Sequence, residues 1–165
     1  MRVKRGTPSF TARVKSICKF DVDRSEGNAM RPEDTKIERT FRVNSYDVDF
    51  AGIMSNQVYH RWSEDLRTDL IARYINLKEL YEMGSIPVLA HAEIDFKKPL
   101  FLLDEVIGEM WVEEMYGIKW AVRGRYLKDG VVCAETMQWG VFIDRETKRP
   151  ISAPEEFPKI KPEDP

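Results

Sequence analysis

At 165 residues with 42% hydrophobic content, the chain is long enough for one domain with a buried core, and 26 basic against 28 acidic side chains leave a net charge of −2. That balance gives no electrostatic case for a nucleic-acid partner or an anionic membrane surface. No apolar run is long enough to span a bilayer, no apolar stretch follows the basic start Met1–Gly6, and Cys18 and Cys133 lie in no metal-ligand spacing. A soluble cytoplasmic protein with reduced thiols is expected, with no metal and no cofactor.

In chain order, the first patterned stretch is Phe10 to Val22. Phe10, Ala12, Val14, Ser16, Cys18, Phe20 and Val22 alternate with Thr11, Arg13, Lys15, Lys19 and Asp21, the period of a strand with one wet face. Asp23 to Thr35 then loses periodicity and collects Gly, Asn, Pro and charge, which reads as a loop or linker. Lys36 to Tyr46 is the next strand, and it runs into the acidic loop Asp47-Val48-Asp49-Phe50-Ala51-Gly52. Ser55 and Asn56 are natural caps for the helix that follows, whose Tyr59, Trp62, Leu66 and Leu70 fall at helical spacing and which is expected to end near Arg73 or Tyr74.

A second short helix is marked by Asn76 at its start and Gly84 past its end. Strands are expected over Pro87–Lys97, Asp104–Met115, Ile118–Lys128 and Val131–Asp144, with Gly117 at one turn and the hairpin dipeptide Asp129-Gly130 at another. One long helix followed by a meander of long strands makes an α+β domain whose antiparallel sheet curls around the helix. The chain thus divides into an extension over residues 1–35, a domain over 36–150 and a tail over 151–165, rich in proline and charge and not expected to pack.

Asp49, Gly52, Asn56 and Tyr59 carry a more specific signal. They resemble the signature of the hot-dog-fold thioesterases, particularly the 4-hydroxybenzoyl-CoA thioesterase-like acyl-CoA thioesterases: an aspartate, two residues, a glycine, then an asparagine or histidine segment and an aromatic residue. Arg42-Val43 stand where that family has a basic or amide residue followed by a β-branched one, and Glu93 to Val106 is similar to its second strand, proline break and third-strand start. The likeness extends over roughly Glu38 to Arg145. Val48 stands in place of the usual threonine or cysteine, and Ile53 or Asn56 in place of a frequent histidine.

The resemblance implies a hot-dog fold, hydrolysis of an acyl-CoA thioester to free acid and coenzyme A, no cofactor, and a homodimer or homotetramer. It implies Asp49 as base or nucleophile and the backbone N–H of Asn56 as the group that polarises the thioester carbonyl. Physical chemistry agrees with those roles, since a carboxylate beside a helix N-terminus can take a proton from water while unpaired N–H groups meet a developing oxyanion. The plain alternative for Asp49 is a turn aspartate bonding its own loop. Glu64, eight residues after Asn56, lies near where another hot-dog subgroup places its carboxylate; a surface glutamate paired with Arg61 or Arg67 explains it as well.

Gly52, Ile53, Ser55, Tyr59 and Trp62 surround these positions as candidate substrate contacts, with Tyr59 and Trp62 equally suited to the core. Asp47 reads as a solvated or loop-stabilising carboxylate. Lys97, Lys98, Arg123, Arg125 and Lys128 are candidates for coenzyme A phosphates or for solvated strand faces. His60 and His91 are the only histidines, and a Ser55-His60-Asp65 triad fails because that spacing scatters the three around a helix. Two other functions stay open: hydrolysis of acyl groups carried on acyl carrier protein, and a non-catalytic acyl-binding or scaffold domain.

Overall fold

The computed structural model describes residues 31–161, so the strand expected over Phe10–Val22 lies outside the described residues. Strand β1 (Ile37–Arg42) leads through a 3-10 turn (Ser45–Asp47) to helix α1 (Asn56–Ala72) and short helix α2 (Leu77–Glu82). Then come β2 (Ser85–Phe96), β3 (Glu105–Tyr116), β4 (Lys119–Lys128) and β5 (Val131–Asp144). All pairs are antiparallel, in the order β1-β3-β4-β5-β2. This is the α+β hot-dog architecture that the patterning implies.

Local chemistry explains the elements. Ser55 is the N-cap of α1, its Oγ accepting from Gln57 N–H, and Asn76 caps α2 by accepting from Lys78 N–H at 2.8 Å. Asp129 and Gly130 hold φ of 50° and 74°, the two left-handed residues that a type I′ hairpin needs between β4 and β5. Register breaks at Leu89/His91, Val112/Glu114 and Tyr126/Leu127 bend long strands that would otherwise lie flat.

The core lies between α1 and the concave face of the sheet. Val58, Tyr59, Trp62, Ser63, Leu66 and Leu70 of α1 are buried there. Trp62 stacks on Phe41 of β1 with centroids 4.6 Å apart, and Tyr59 meets Tyr126 of β4 edge-on at 5.4 Å. Helix and sheet approach closely because Gly108 has no side chain: a Cβ there would come within 2.7 Å of Phe41 and 3.1 Å of Leu66.

Two readings of the sequence need correction. Pro32–Thr35, read as part of a loop or linker, forms a 3-10 turn, and Thr35 is fully buried, its Oγ1 donating to Pro32 O (2.6 Å) and accepting from Val112 N–H (2.8 Å). The tail after Ile151, expected not to pack, runs along the sheet: Ile151 N–H donates to Phe142 O, Ala153 N–H to Gly117 O, and Ile160 and Met115 exchange bonds in both directions. Phe157 and Ile160 are buried. One cause explains both. β1 pairs only with Glu105–Met110, so the outer edge of the rest of β3 would be bare, and Thr35 and Ile160 supply partners at Val112 and Met115.

Candidate active site

The acidic loop forms a small closed turn at the N-terminus of α1. Val48 bridges Met54, Asp49 N–H donates to Ile53 O (2.9 Å), and Gly52 N–H donates to Asp49 O (3.0 Å), with Gly52 at φ 77°. Only a residue free of a Cβ adopts that angle without cost. The turn is also tied to its surroundings: Met54 N–H donates to Leu100 O (2.8 Å) and Ser55 N–H to Asp47 O (2.8 Å).

Asp47 is the anchor, and sequence reading understates it. It is 2% exposed, accepts from Asn44 N–H at 2.9 Å and Asn44 Nδ2 at 3.2 Å, and pairs with Arg61 from the second turn of α1. Of the two readings given above, solvated or loop-stabilising, the second describes it. Its only long-range signal is Arg61, fourteen residues on, which helical periodicity puts on a polar face.

Asp49 is half-buried, and its Oδ1 accepts from Ala51 N–H at 2.8 Å, the Asx turn that the plain alternative describes. Its other oxygen has no partner among the described residues. Asn56 is the first residue of α1, so its N–H has no acceptor in the helix ladder, while Ser55 Oγ takes the next N–H. Gly52 and Asn56 are exposed and Ile53 and Ser55 half-buried, so Asp49, Gly52, Ile53, Ser55 and Asn56 form one constellation. Phe50 at its tip is fully exposed.

The other candidates lie elsewhere. Tyr59 and Trp62 face the core beneath the loop. Glu64 is exposed on α1 eight residues past Asn56, about 12 Å along the helix. It pairs with Arg67, whose side chain is only 13% exposed and which also donates to the buried Gln138. Burial holds the Arg67 guanidinium below its ordinary pKa.

A buried polar pair on the apolar side of α1 escapes sequence reading. Tyr126 OH donates to Tyr59 O (3.2 Å), which leaves Ser63 Oγ to donate to the Tyr126 oxygen (2.7 Å). Burial pushes the Tyr126 hydroxyl far up and that of Tyr59 up to about 12, so both stay protonated. The signal that could have found the pair is Ser63 itself, a hydroxyl four residues after Tyr59 in an apolar stripe.

Two cavities flank the helix. The first, about 330 Å³, is bounded by the second half of α1, by β2–β5 and by the tail, and Glu64, Arg67 and Thr68 stand at one end of it. The second, about 350 Å³, is a shallow depression lined by Asn44, Tyr46, Asp47, Arg61, Trp62, Glu64 and Asp65. Glu64 borders both and Asp49 neither. Of the candidate phosphate contacts, Lys97, Arg123, Arg125 and Lys128 pair with Glu135, Glu113, Glu109 and Asp104. Among the described residues no cluster of His, Cys, Asp and Glu is placed to hold a metal ion, and no helix is long and apolar enough to cross a membrane.

A loop carboxylate against a capped helix start, with a curled sheet behind it, now has a known counterpart. Residues 43–160 match the Thioesterase-like superfamily. The chain belongs to that superfamily. Its enzyme class is accordingly thioester hydrolase. The match includes the acidic loop, all of α1 and the tail as far as Ile160. Solved structures with the same fold include BH1999 gentisyl-coenzyme A thioesterase (TM-score 0.67, 21% identity, covering 73% of this chain and 98% of that one). DHNA-CoA thioesterase from Staphylococcus aureus matches with TM-score 0.67 and 18% identity over 71% and 80% of the two chains. Slr0204, a 1,4-dihydroxy-2-naphthoyl-CoA thioesterase from Synechocystis, gives 0.67 and 16% over 73% and 91%. Among curated proteins, none matches by sequence.

Proposed function

We propose that this protein hydrolyses acyl-CoA thioesters, with Asp49 as the base and the start of α1 as the carbonyl-polarising group. The observation that carries the proposal is the loop itself: one oxygen of Asp49 is fixed by Ala51 N–H, the other has no partner among the described residues, and the Asn56 N–H stands at the head of the same helix. Asp49 takes a proton from water as the water oxygen bonds to the thioester carbon. The carbonyl oxygen gains charge against the Asn56 N–H and the positive end of α1. Collapse breaks the carbon–sulfur bond, the thiolate takes up the proton, and free acid and coenzyme A leave. Coenzyme A is favoured over acyl carrier protein because the three similar structures named above are all CoA thioesterases.

A second reading moves the base to Glu64, because that carboxylate borders both cavities. Release of free thiol from short, long and aromatic acyl-CoAs and from one acyl carrier protein thioester tests the activity, and two variants separate the readings. Asp49→Asn is expected to lower kcat by roughly 10²–10⁴-fold with little change in substrate binding, and Glu64→Gln by much less. The reverse ranking moves the chemistry onto the helix. No turnover by the unaltered protein on any substrate leaves a binding or scaffold domain. We also propose that the protein is cytoplasmic and at least a dimer, as the resemblance to the hot-dog thioesterases implies. An active monomer in sedimentation equilibrium at micromolar concentration overturns the assembly.

A further inference from the structure

The 330 Å³ cavity is built differently from an ordinary packing defect. Its inner wall is apolar: Leu70, Val112, Met115, Val122, Phe142 and Phe157 are each 7% exposed or less. Yet two of the polar side chains that line the same space carry an atom with no partner among the described residues. Tyr74 OH and Trp120 Nε1 are shielded from solvent and have no hydrogen-bond partner among the described residues, and Trp120 as a residue is only 5% exposed. Buried polar atoms nearly always have partners, so two orphans on residues that line one void call for an occupant.

Their chemistry limits what that occupant is. An indole N–H only donates and a phenol can donate, so the ligand must bring an acceptor oxygen to the inner part of an otherwise apolar site. At the other end, Glu64 is largely exposed and Arg67 is held by Glu64 and Gln138, so the charged end of a ligand stays at that rim. The volume suits about eleven heavy atoms at the ~30 Å³ that each liquid water takes. Ligand sites of this size are usually apolar with a few placed polar groups.

We propose that the space between the second half of α1 and the sheet is a site for an amphipathic organic acid, and that Tyr74 and Trp120 select acids bearing a hydroxyl or oxo oxygen on the buried part. The preference for an oxygen rests on the cavity and stands apart from the thioesterase reading above. A pure hydrocarbon leaves both donors unpaired, whereas a hydroxyl satisfies at least one, a difference of about tenfold in affinity. Sites built to bond a hydroxyl reject the analogue that lacks it more sharply than apolar pockets reject one methylene.

Binding of free acids tests this without any chemistry, so an inactive enzyme does not affect the outcome. With ¹⁵N-labelled protein, the Trp120 indole N–H is one of four tryptophan signals and is assigned by its loss in Trp120→Phe. Two pairs of probes are titrated: decanoic acid with 10-hydroxydecanoic acid, and 2-naphthoic acid with 6-hydroxy-2-naphthoic acid. In at least one pair the hydroxylated acid is expected to bind about tenfold more tightly and to move the Trp120 signal, and the pair that does so shows whether the site takes a chain or a ring. In Tyr74→Phe, which keeps the ring and the fold, the preference is expected to shrink to about threefold or less. Equal affinities in both pairs, binding that leaves the Trp120 signal unmoved, or no binding at all would each overturn the proposal. Loss of activity in Asp49→Asn with the binding preference intact would separate this site from the base.

Discussion

The two ends of α1 are built on opposite principles. At its start, nearly every polar group of the loop is wired: Asp47 to Asn44 and Arg61, Asp49 to Ala51 and Ile53, Met54 to Leu100. At its far end the wall is apolar and two donors on residues lining the cavity have no partner among the described residues. The first arrangement fixes a charge in place; the second sets aside room and keeps its hydrogen-bonding capacity in reserve. Rigidity and vacancy are separated along one helix of 17 residues, so a change at one end can be read without disturbing the other.

The sharpest way to break this contrast is to unwire the loop. Asp47→Ala removes the carboxylate that accepts from Asn44 N–H and Nδ2 and pairs with the exposed Arg61, and is expected to cost about 2 kcal/mol, in the range for hydrogen bonds to a charged group. Denaturant unfolding measures it, and the ligand preference at the other end of α1 should survive in the folded fraction. A loss below about 1 kcal/mol would mean that the loop is not held by Asp47.

An intermediate effect is expected on the convex face of the sheet, away from both ends. Burial alone would raise the Glu109 carboxyl, but hydrogen bonds from Arg125 and Lys36 outweigh it and hold the pKa below its ordinary value of 4.5. A carboxyl depressed on folding contributes stability that is present above the unfolded pKa and lost as pH falls through the folded one. Unfolding midpoints should therefore hold through neutral pH and fall as pH drops below about 4.5. Glu109→Gln is expected to flatten that acid limb, and an unchanged limb would show that other carboxylates carry it.

The smallest effect sharpens the comparison most. If the Tyr74 hydroxyl is unpaired in the ligand-free protein, deleting it in Tyr74→Phe leaves thermal stability unchanged or raises it by up to about 1 kcal/mol. The same deletion at Tyr126, whose hydroxyl is bonded to Ser63 and Tyr59, should be destabilising by about 1–3 kcal/mol. Equal losses at both tyrosines would mean that the cavity is already filled.

Legibility follows from how far apart in sequence the determinants lie. The helix, the strands and the Asp129-Gly130 hairpin were readable because each is written in consecutive residues, and the acidic loop because its motif is local. Asp47 was half-readable: its bonds to Asn44 are local, but its burial depends on Arg61. The packed tail was missed because prolines and charges dominate its composition, while the two residues that matter, Phe157 and Ile160, are isolated apolar positions that gain meaning only beside β3. Least readable was the cavity, since Tyr74, Trp120 and Phe157 share no pattern and meet only in three dimensions. The same holds for Gly140, where a Cβ would sit 2.4 Å from Trp120 and 1.9 Å from Val88 O, so that its small size fixes where the indole lies.

The position of Phe157 also matters during synthesis. Its ring packs against Phe142 and Tyr74 and closes one wall of the cavity, with Ile160 fastening the strap to Met115. Helix α1 and the five described strands have been translated by Asp144, so the sheet can form around the helix while the cavity still lacks that wall. A nascent chain stalled before residue 157 therefore exposes apolar surface that the finished protein covers, and the last dozen described residues are the seal that separates a folded intermediate from a finished container.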